Sequence, residues 1–426
     1  MDLLFKAVTI VDATSGLNGQ TVDLLLREGR IHQMAPSIEE ANAQIIPGQG
    51  LHCSIGWFDL IAFSGEPGYE HRETLDNFAR AAAYGGFTEV ACLPNVNPIT
   101  QTRASIEFFK NKPINGFVRL HPLAAVSHDL EGKDLSEILD LKAAGAIAFT
   151  DGTVPLQAED SVLKALEYLK LFGGVLINRP ENKKIATGGQ MHEGTASTRL
   201  GLKGIPAIAE EVQVSRDVQL LSYVGGRLHF TQLSTAAGIS LVRKAKKQGI
   251  NVTCDVAAHQ CAFTDEMMEP FNTNYKVSPP FRSEADRLAI LEGLQDGTID
   301  TLVSAHMPWD EEAKELEFDL AEAGIIGLQT AYAIANETLS SHLSSQELMQ
   351  KLAVNSRKIV DLPIPSLAEG AVANLTFFHP AKTWVFEESL NASAAKNSPF
   401  FGRELKGCVF GTYLNGQLTR NPAFHN

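Results

Sequence analysis

The chain has 426 residues, 44% hydrophobic and 20% charged, with no block of like charge, a balance that builds a buried core and excludes a disordered chain. Lys+Arg 36 against Asp+Glu 50 leaves a formal charge of −14, which excludes nucleic-acid binding through a basic surface. No apolar run approaches the roughly 20 residues of a membrane helix, and Met1–Asp2 lead into strand-like sequence instead of a basic-then-apolar leader, so a cytoplasmic protein is expected.

The first fifty residues read as short strands broken by Gly and Pro: "LLFKAVTIVD", "VDLLLREGRIHQMAP" and "AQIIPGQG". From residue 51 the texture changes to short buried-strand runs alternating with amphipathic helix patterns. The runs are "GWFDLIAFS", "FTEVACLP", "GFVRLHPLAAV", "GAIAFTDG", "GVLINRP", "RLHFTQLS", "NVTCDVAAH" and "DTLVSAHMPW". Several intervening helices, such as "RETLDNFARAAAYGG" and "TAAGISLVRKAKKQG", end in Gly, the residue suited to a left-handed C-terminal cap. This alternation predicts an α/β fold: a (β/α)8 barrel over 51–365, closed by a helical region near 328–358. Strand patterns return in "ANLTFFHP", "TWVFEE" and "LKGCVFGTYLNGQL", where "LNGQ" predicts a hairpin turn. Residues 1–50 and 366–426 are therefore expected to join in one small composite β-sandwich. The five cysteines form no C-x-x-C pair and are expected to be reduced and buried.

In such barrels chemistry sits at the C-terminal ends of the strands. Those ends hold Ile61, Phe63, Asn95, His121, Thr150, Asp151, Asn178, Arg179, Gln232, His259, Ala305 and His306. A hydrolytic zinc centre needs at least three converging His, Asp, Glu or Cys donors to share the charge of the desolvated ion. The sequence has no H-x-H and no H-E-x-x-H, and His121 and His128 are too far apart to be expected to share an ion. His229, His259 and His306 could meet at the mouth, although a lone strand-end histidine is more often a hydrogen-bonded structural residue. There is no G-x-S-x-G nucleophile elbow and no phosphate-cradling glycine loop. Asp59 is expected to serve structure. Ile61, Phe63, Ala305, Met307 and Trp309 are expected to pack as an apolar plug, since a mouth without an ion gains nothing from unpaired polar groups.

The segments "EPGYEHRETL", "LPNVNP", "RLHFTQLSTAAGISLVRKAKKQGINVTCDVAAH", "YKVSPPFR", "DGTID", "AGIIGLQTA" and "NSPFFGRELKG" resemble signature segments of dihydroorotases, within the amidohydrolase superfamily, nearly end to end. The resemblance implies the barrel with its composite β-domain, and zinc in active members. It also implies an H-x-H-x-R after the first strand, where this chain reads Ile61, Ala62, Phe63, Ser64, Gly65. The family's "F-S-D-D-G" is "FTDG" here. Asp151 is read as the retained bridging carboxylate, with Gly152 or a deletion in place of the second Asp. Two further family histidines are Asn178 and Gln232, and the acid/base aspartate is Ala305. Of the substrate-contact positions Asn95 is kept, while Gly65, Ser278 and Trp309 are substituted. No catalytic residue and no metal are expected. The resulting expectation is a non-catalytic homologue that assembles with aspartate carbamoyltransferase, as some family members do, and that forms homodimers as the family's barrels often do. The alternatives are a live cyclic-amide hydrolase with an atypical metal site, and a metal-free binder of a cyclic amide anchored by Asn95 and Arg179.

Overall fold

The structure is a computed structural model that describes residues 2–112, 114, 116–267 and 270–424. It opens with β1 (Leu3–Ile10), β2 (Thr21–Arg27), β3 (Arg30–Ala35), β4 (Gln44–Pro47) and β5 (His52–Ile55). The barrel strands follow: β6 (Trp57–Ala62), β7 (Phe87–Cys92), β8 (Arg119–Pro122) and β9 (Leu176–Asn178). A short ribbon of β10 (Met191–His192) and β11 (Gly204–Ile205) precedes β12 (Leu228–Phe230), β13 (Val252–Ala257) and β14 (Thr301–Val303). The chain ends with β15 (Leu375–Val385), β16 (Glu404–Leu414) and β17 (Gln417–Arg420).

Parallel pairing runs β6–β7–β8 and β9–β12–β13–β14. Phe149 links the two arcs by bridges to Ala124 and Leu176, and a parallel bridge from Ala62 to His306 closes the ring. The run "GAIAFTDG" was expected to be a full strand but supplies only these bridges. Gly145 at φ 119° and Gly152 at φ 62° turn the chain in and out of the ring within a short span. Every residue of β6 and β7 is buried, as strands covered on both faces require. The helix Leu75–Tyr84 shows how the outer layer is specified. The Thr74 hydroxyl accepts from the Asn77 N–H, and Leu75, Phe78, Ala79 and Ala82 face inward.

The terminal strands pair in the order β17-β16-β15-β5-β1-β2-β3, with β4 on β1. β5 belongs to this sheet, so it continues past residue 50, and Gly56 donates to the Asn374 carbonyl at 2.8 Å where sheet meets barrel. The predicted hairpin lies between β16 and β17, with Asn415 at φ 51° and Gly416 at φ 80°. All five cysteines are free and buried.

The barrel floor, opposite the mouth, is tied by one ionic group. Arg357, fully buried, donates to Glu89 at 3.0 Å and to the Gly56 carbonyl at 2.8 Å. Asn374 and His121 also bond the Glu89 carboxylate, each at 2.8 Å. Burial alone would raise the Glu89 pKa, but the His121 bond and the Arg357 charge outweigh it and hold it at about 2. A folded-state value below the unfolded one stabilises above the unfolded pKa, and that gain is lost as pH falls. Unfolding followed by circular dichroism between pH 5 and pH 2 is therefore expected to show a loss of about 3 kcal/mol that Glu89→Gln removes.

Candidate functional site

A cavity of about 400 Å³ opens at the C-terminal ends of the barrel strands. Ile61 and Phe63 come from the end of β6, and Ala305, Met307 and Trp309 from the segment after β14; all five line it. The expected apolar plug thus has its members in one place, but they wall a cavity instead of filling it. Asn95, Ser278 and Gln232 also line it, and His259 is the one histidine of His229, His259 and His306 that does. Burial pushes the His259 pKa down to about 4, so its ring is neutral at physiological pH. Gln232 at φ 58° and Ala305 at φ 47° adopt the left-handed conformation that is costly for residues with a Cβ, and such strain concentrates at functional sites. The Asp255 carboxylate holds the first of these by accepting from the Gln232 N–H at 2.6 Å.

Several residues singled out from sequence point elsewhere. His229 is buried between Asp255 and Thr253, each at 2.8 Å. His121 sits at the floor with Glu89, and His306 accepts from the Gly327 N–H at 3.2 Å while its Nε2 lies 3.5 Å from Glu73. Asn178 donates to Asp217 at 2.7 Å and accepts from the Leu156 N–H at 3.2 Å, so both ends of its amide are engaged away from the cavity. Asp59 accepts from the Ser304 N–H at 2.9 Å and from its hydroxyl; burial pushes its pKa up to about 7.

Asp151 requires a correction. Read as the carboxylate facing the mouth, it instead accepts from the Val126 and Ser127 N–H groups, each at 3.0 Å, and from the Ser127 hydroxyl. Burial raises its pKa despite these bonds. Its neighbour Gly152 faces the cavity, and a Cβ there would stand 1.8 Å from the Asn95 Oδ1. Asn95 is itself fixed, donating to the Asp151 carbonyl at 3.1 Å and accepting from the Thr153 N–H at 3.2 Å. Asp151→Ala is therefore expected to cost about 3 kcal/mol in urea unfolding, since it strands two buried N–H groups. Gly65 likewise admits no side chain, with φ at 71° and a would-be Cβ 2.2 Å from the Glu73 carbonyl oxygen.

The sequence reading missed Arg72. Its guanidinium carbon lies 3.4 Å from the Trp309 ring centroid and 4.1 Å from that of Phe63. Its Nε donates to the Pro308 carbonyl at 2.9 Å. Burial lowers its pKa to about 10, which leaves it charged at neutral pH. The Asn397 amide steadies this wall by donating to the Met307 and Gly324 carbonyls, each at 2.9 Å, and accepting from the Trp309 N–H at 3.1 Å.

The residues present do not fit a zinc ion. Among the described residues no three His, Cys, Asp or Glu side chains converge to hold a metal. The cavity is lined by the imidazoles of His71 and His259, the amides of Asn95 and Gln232, several hydroxyls and the Glu322 carboxylate, beside the cationic Arg72 and Arg179. Amide oxygens are weak zinc donors, and two guanidiniums repel a cation.

A dihydro-orotase-like family model matches residues 54–237. The chain is 40% identical to a dihydroorotase of Syntrophus aciditrophicus (strain SB), over 98% of this chain and 99% of that protein. It is 39% identical to a dihydroorotase of Pelotomaculum thermopropionicum, over 98% of each. Among solved structures, the L-hydantoinase (dihydropyrimidinase) from Arthrobacter aurescens superposes with a TM-score of 0.85 at 22% identity, over 99% of this chain and 96% of that one, and a D-hydantoinase with a TM-score of 0.82 at 19% identity, over 99% and 96%. These two share the fold. Among the described residues no helix is long and apolar enough to cross a membrane. End-to-end identity at this level, on the same amidohydrolase barrel, places the chain in the dihydroorotase family.

Proposed function

We propose that the chain is a non-catalytic member of the dihydroorotase family and serves as a structural partner of aspartate carbamoyltransferase. The observation that carries the first part is the mouth itself. Ile61, Phe63 and Ala305 offer no donor where active members are expected to hold metal and acid/base groups, and the carboxylate of Asp151 is engaged with backbone behind the wall. The partner follows from family precedent, since some members assemble with the transferase. The retained barrel and composite sheet support a scaffold role.

The test is co-purification. The tagged chain, expressed at native level, is expected to bring down the transferase of its own cell in fixed ratio and to co-elute with it on gel filtration. A chain that always elutes without the transferase, when both are present in the lysate, contradicts the partnership.

A further inference from the structure

We propose that two copies of this chain pair through the outward face of the helix Ile208–Val224, which lies antiparallel on its own copy across a two-fold axis. The contact belongs to the outer layer of the barrel and is independent of the chemistry of the mouth.

This helix of 17 residues has five exposed positions, Ile208, Val212, Gln219, Ser222 and Tyr223, and none is charged. Ile208, Val212 and Tyr223 are 47%, 40% and 84% exposed. The neighbouring helix Glu159–Lys170 has the ordinary outer face instead: of its six exposed residues only Tyr168 is uncharged. The charges that Ile208–Val224 does carry are drawn away from water. Glu210 and Asp217 are buried, and Glu211 is half-buried. The Arg216 guanidinium turns inward, donating to Asp217 at 2.8 Å and to the carbonyls of Gln157 and Leu156. Ala209, Val214 and Leu221 meanwhile fill the inner side. A helix apolar on its outer side as well as its inner one is normally covered on both.

Charge and residue order identify the cover as a second copy. The chain carries a formal charge of −14, which keeps copies apart over most of their surface, so an uncharged face is where they approach at least cost. A two-fold contact sets one patch against itself. Along the stripe Ile208, Val212, Ser215, Gln219, Tyr223 the apolar residues lie at both ends and the polar pair in the middle, where Gln219 donates to Ser215 at 3.3 Å. Antiparallel pairing about that middle turn puts Ile208 of each copy against Tyr223 of the other and keeps the polar pairs together near the axis. The adjacent helix extends the face: its Lys170 donates to the Val224 carbonyl at 2.9 Å, and Tyr168 and Leu171 beside it are 50% and 74% exposed. Two helices about 25 Å long and about 10 Å wide cover about 1,000 Å² in total across a pair, the lower bound for a specific interface.

The test is sedimentation velocity of the purified full chain from about 1 μM to about 100 μM, where a reversible dimer is expected. Ile208→Glu and Tyr223→Lys are each expected to weaken it by about 30-fold or more, with folding checked by circular dichroism. An equimolar mixture of these two variants is expected to pair at least about 10-fold more tightly than either alone, because the introduced carboxylate of one copy meets the introduced ammonium of the other. The two positions are about 22 Å apart along one helix, so such recovery arises only between copies. A chain that stays monomeric throughout overturns the inference, as does a dimer that neither substitution weakens or a mixture no tighter than its components. A monomeric chain that loses co-purifying transferase on Tyr223→Lys also overturns it, by giving this face to the transferase.

Discussion

Supplied with zinc and dihydroorotate, the purified chain is expected to open the ring no faster than buffer, and at least about 10⁴-fold more slowly than an active family member assayed alongside. Hydrolysis of a cyclic amide needs an activated water and a proton for the departing nitrogen. In active family members zinc supplies the first, by bringing the pKa of bound water to roughly 7. The family resemblance assigns the second to position 305, which is alanine in this chain. A positioned general acid or base is alone worth about 10²–10⁴-fold. Ile61→His with Phe63→His is not expected to rescue turnover. Position 152 leaves no room for a bridging carboxylate, because a Cβ there meets the Asn95 Oδ1 at 1.8 Å. Steady-state absorbance of dihydroorotate is the readout. Metal-dependent turnover abolished by Asp151→Asn contradicts this account.

Arg357→Ala is expected to be the most damaging single change to stability, costing about 3–5 kcal/mol in denaturant unfolding. It leaves Glu89 buried and charged with His121 and Asn374 as its close partners, and it strands the Gly56 carbonyl where the sheet joins the barrel. The double variant Arg357→Met with Glu89→Gln is expected to recover part of the loss, because no uncompensated charge remains. A loss below about 1 kcal/mol for the single variant contradicts the role given to this group.

The barrel was legible because parallel strands covered on both faces must be continuous apolar runs, and runs such as "FTEVACLP" have that form. The hairpin was legible because Asn-Gly suits two consecutive residues at positive φ. The cavity's chemistry was less so. Arg72 follows Phe63 on the same loop but meets Trp309 only through the closed ring, and that separation in sequence carries no trace of the stack. Asp151 and Gly152 are adjacent, and which one faces the mouth depends on a turn at positive φ that a strand pattern does not register. The partner of Asn178, Asp217, comes from the helix Ile208–Val224, whose packing fixes an amide that strand position alone left aimed at the mouth. The fourth strand shrank to the bridges of Phe149 because glycines on either side redirect the backbone.

Elemental analysis of protein purified without chelator and then dialysed against micromolar zinc addresses the central claim most directly. Too few electron-pair donors face the mouth to retain a divalent ion, so zinc is expected well below one ion per chain. One or more ions held per chain, and released when Asp151 or His259 is replaced, would contradict it.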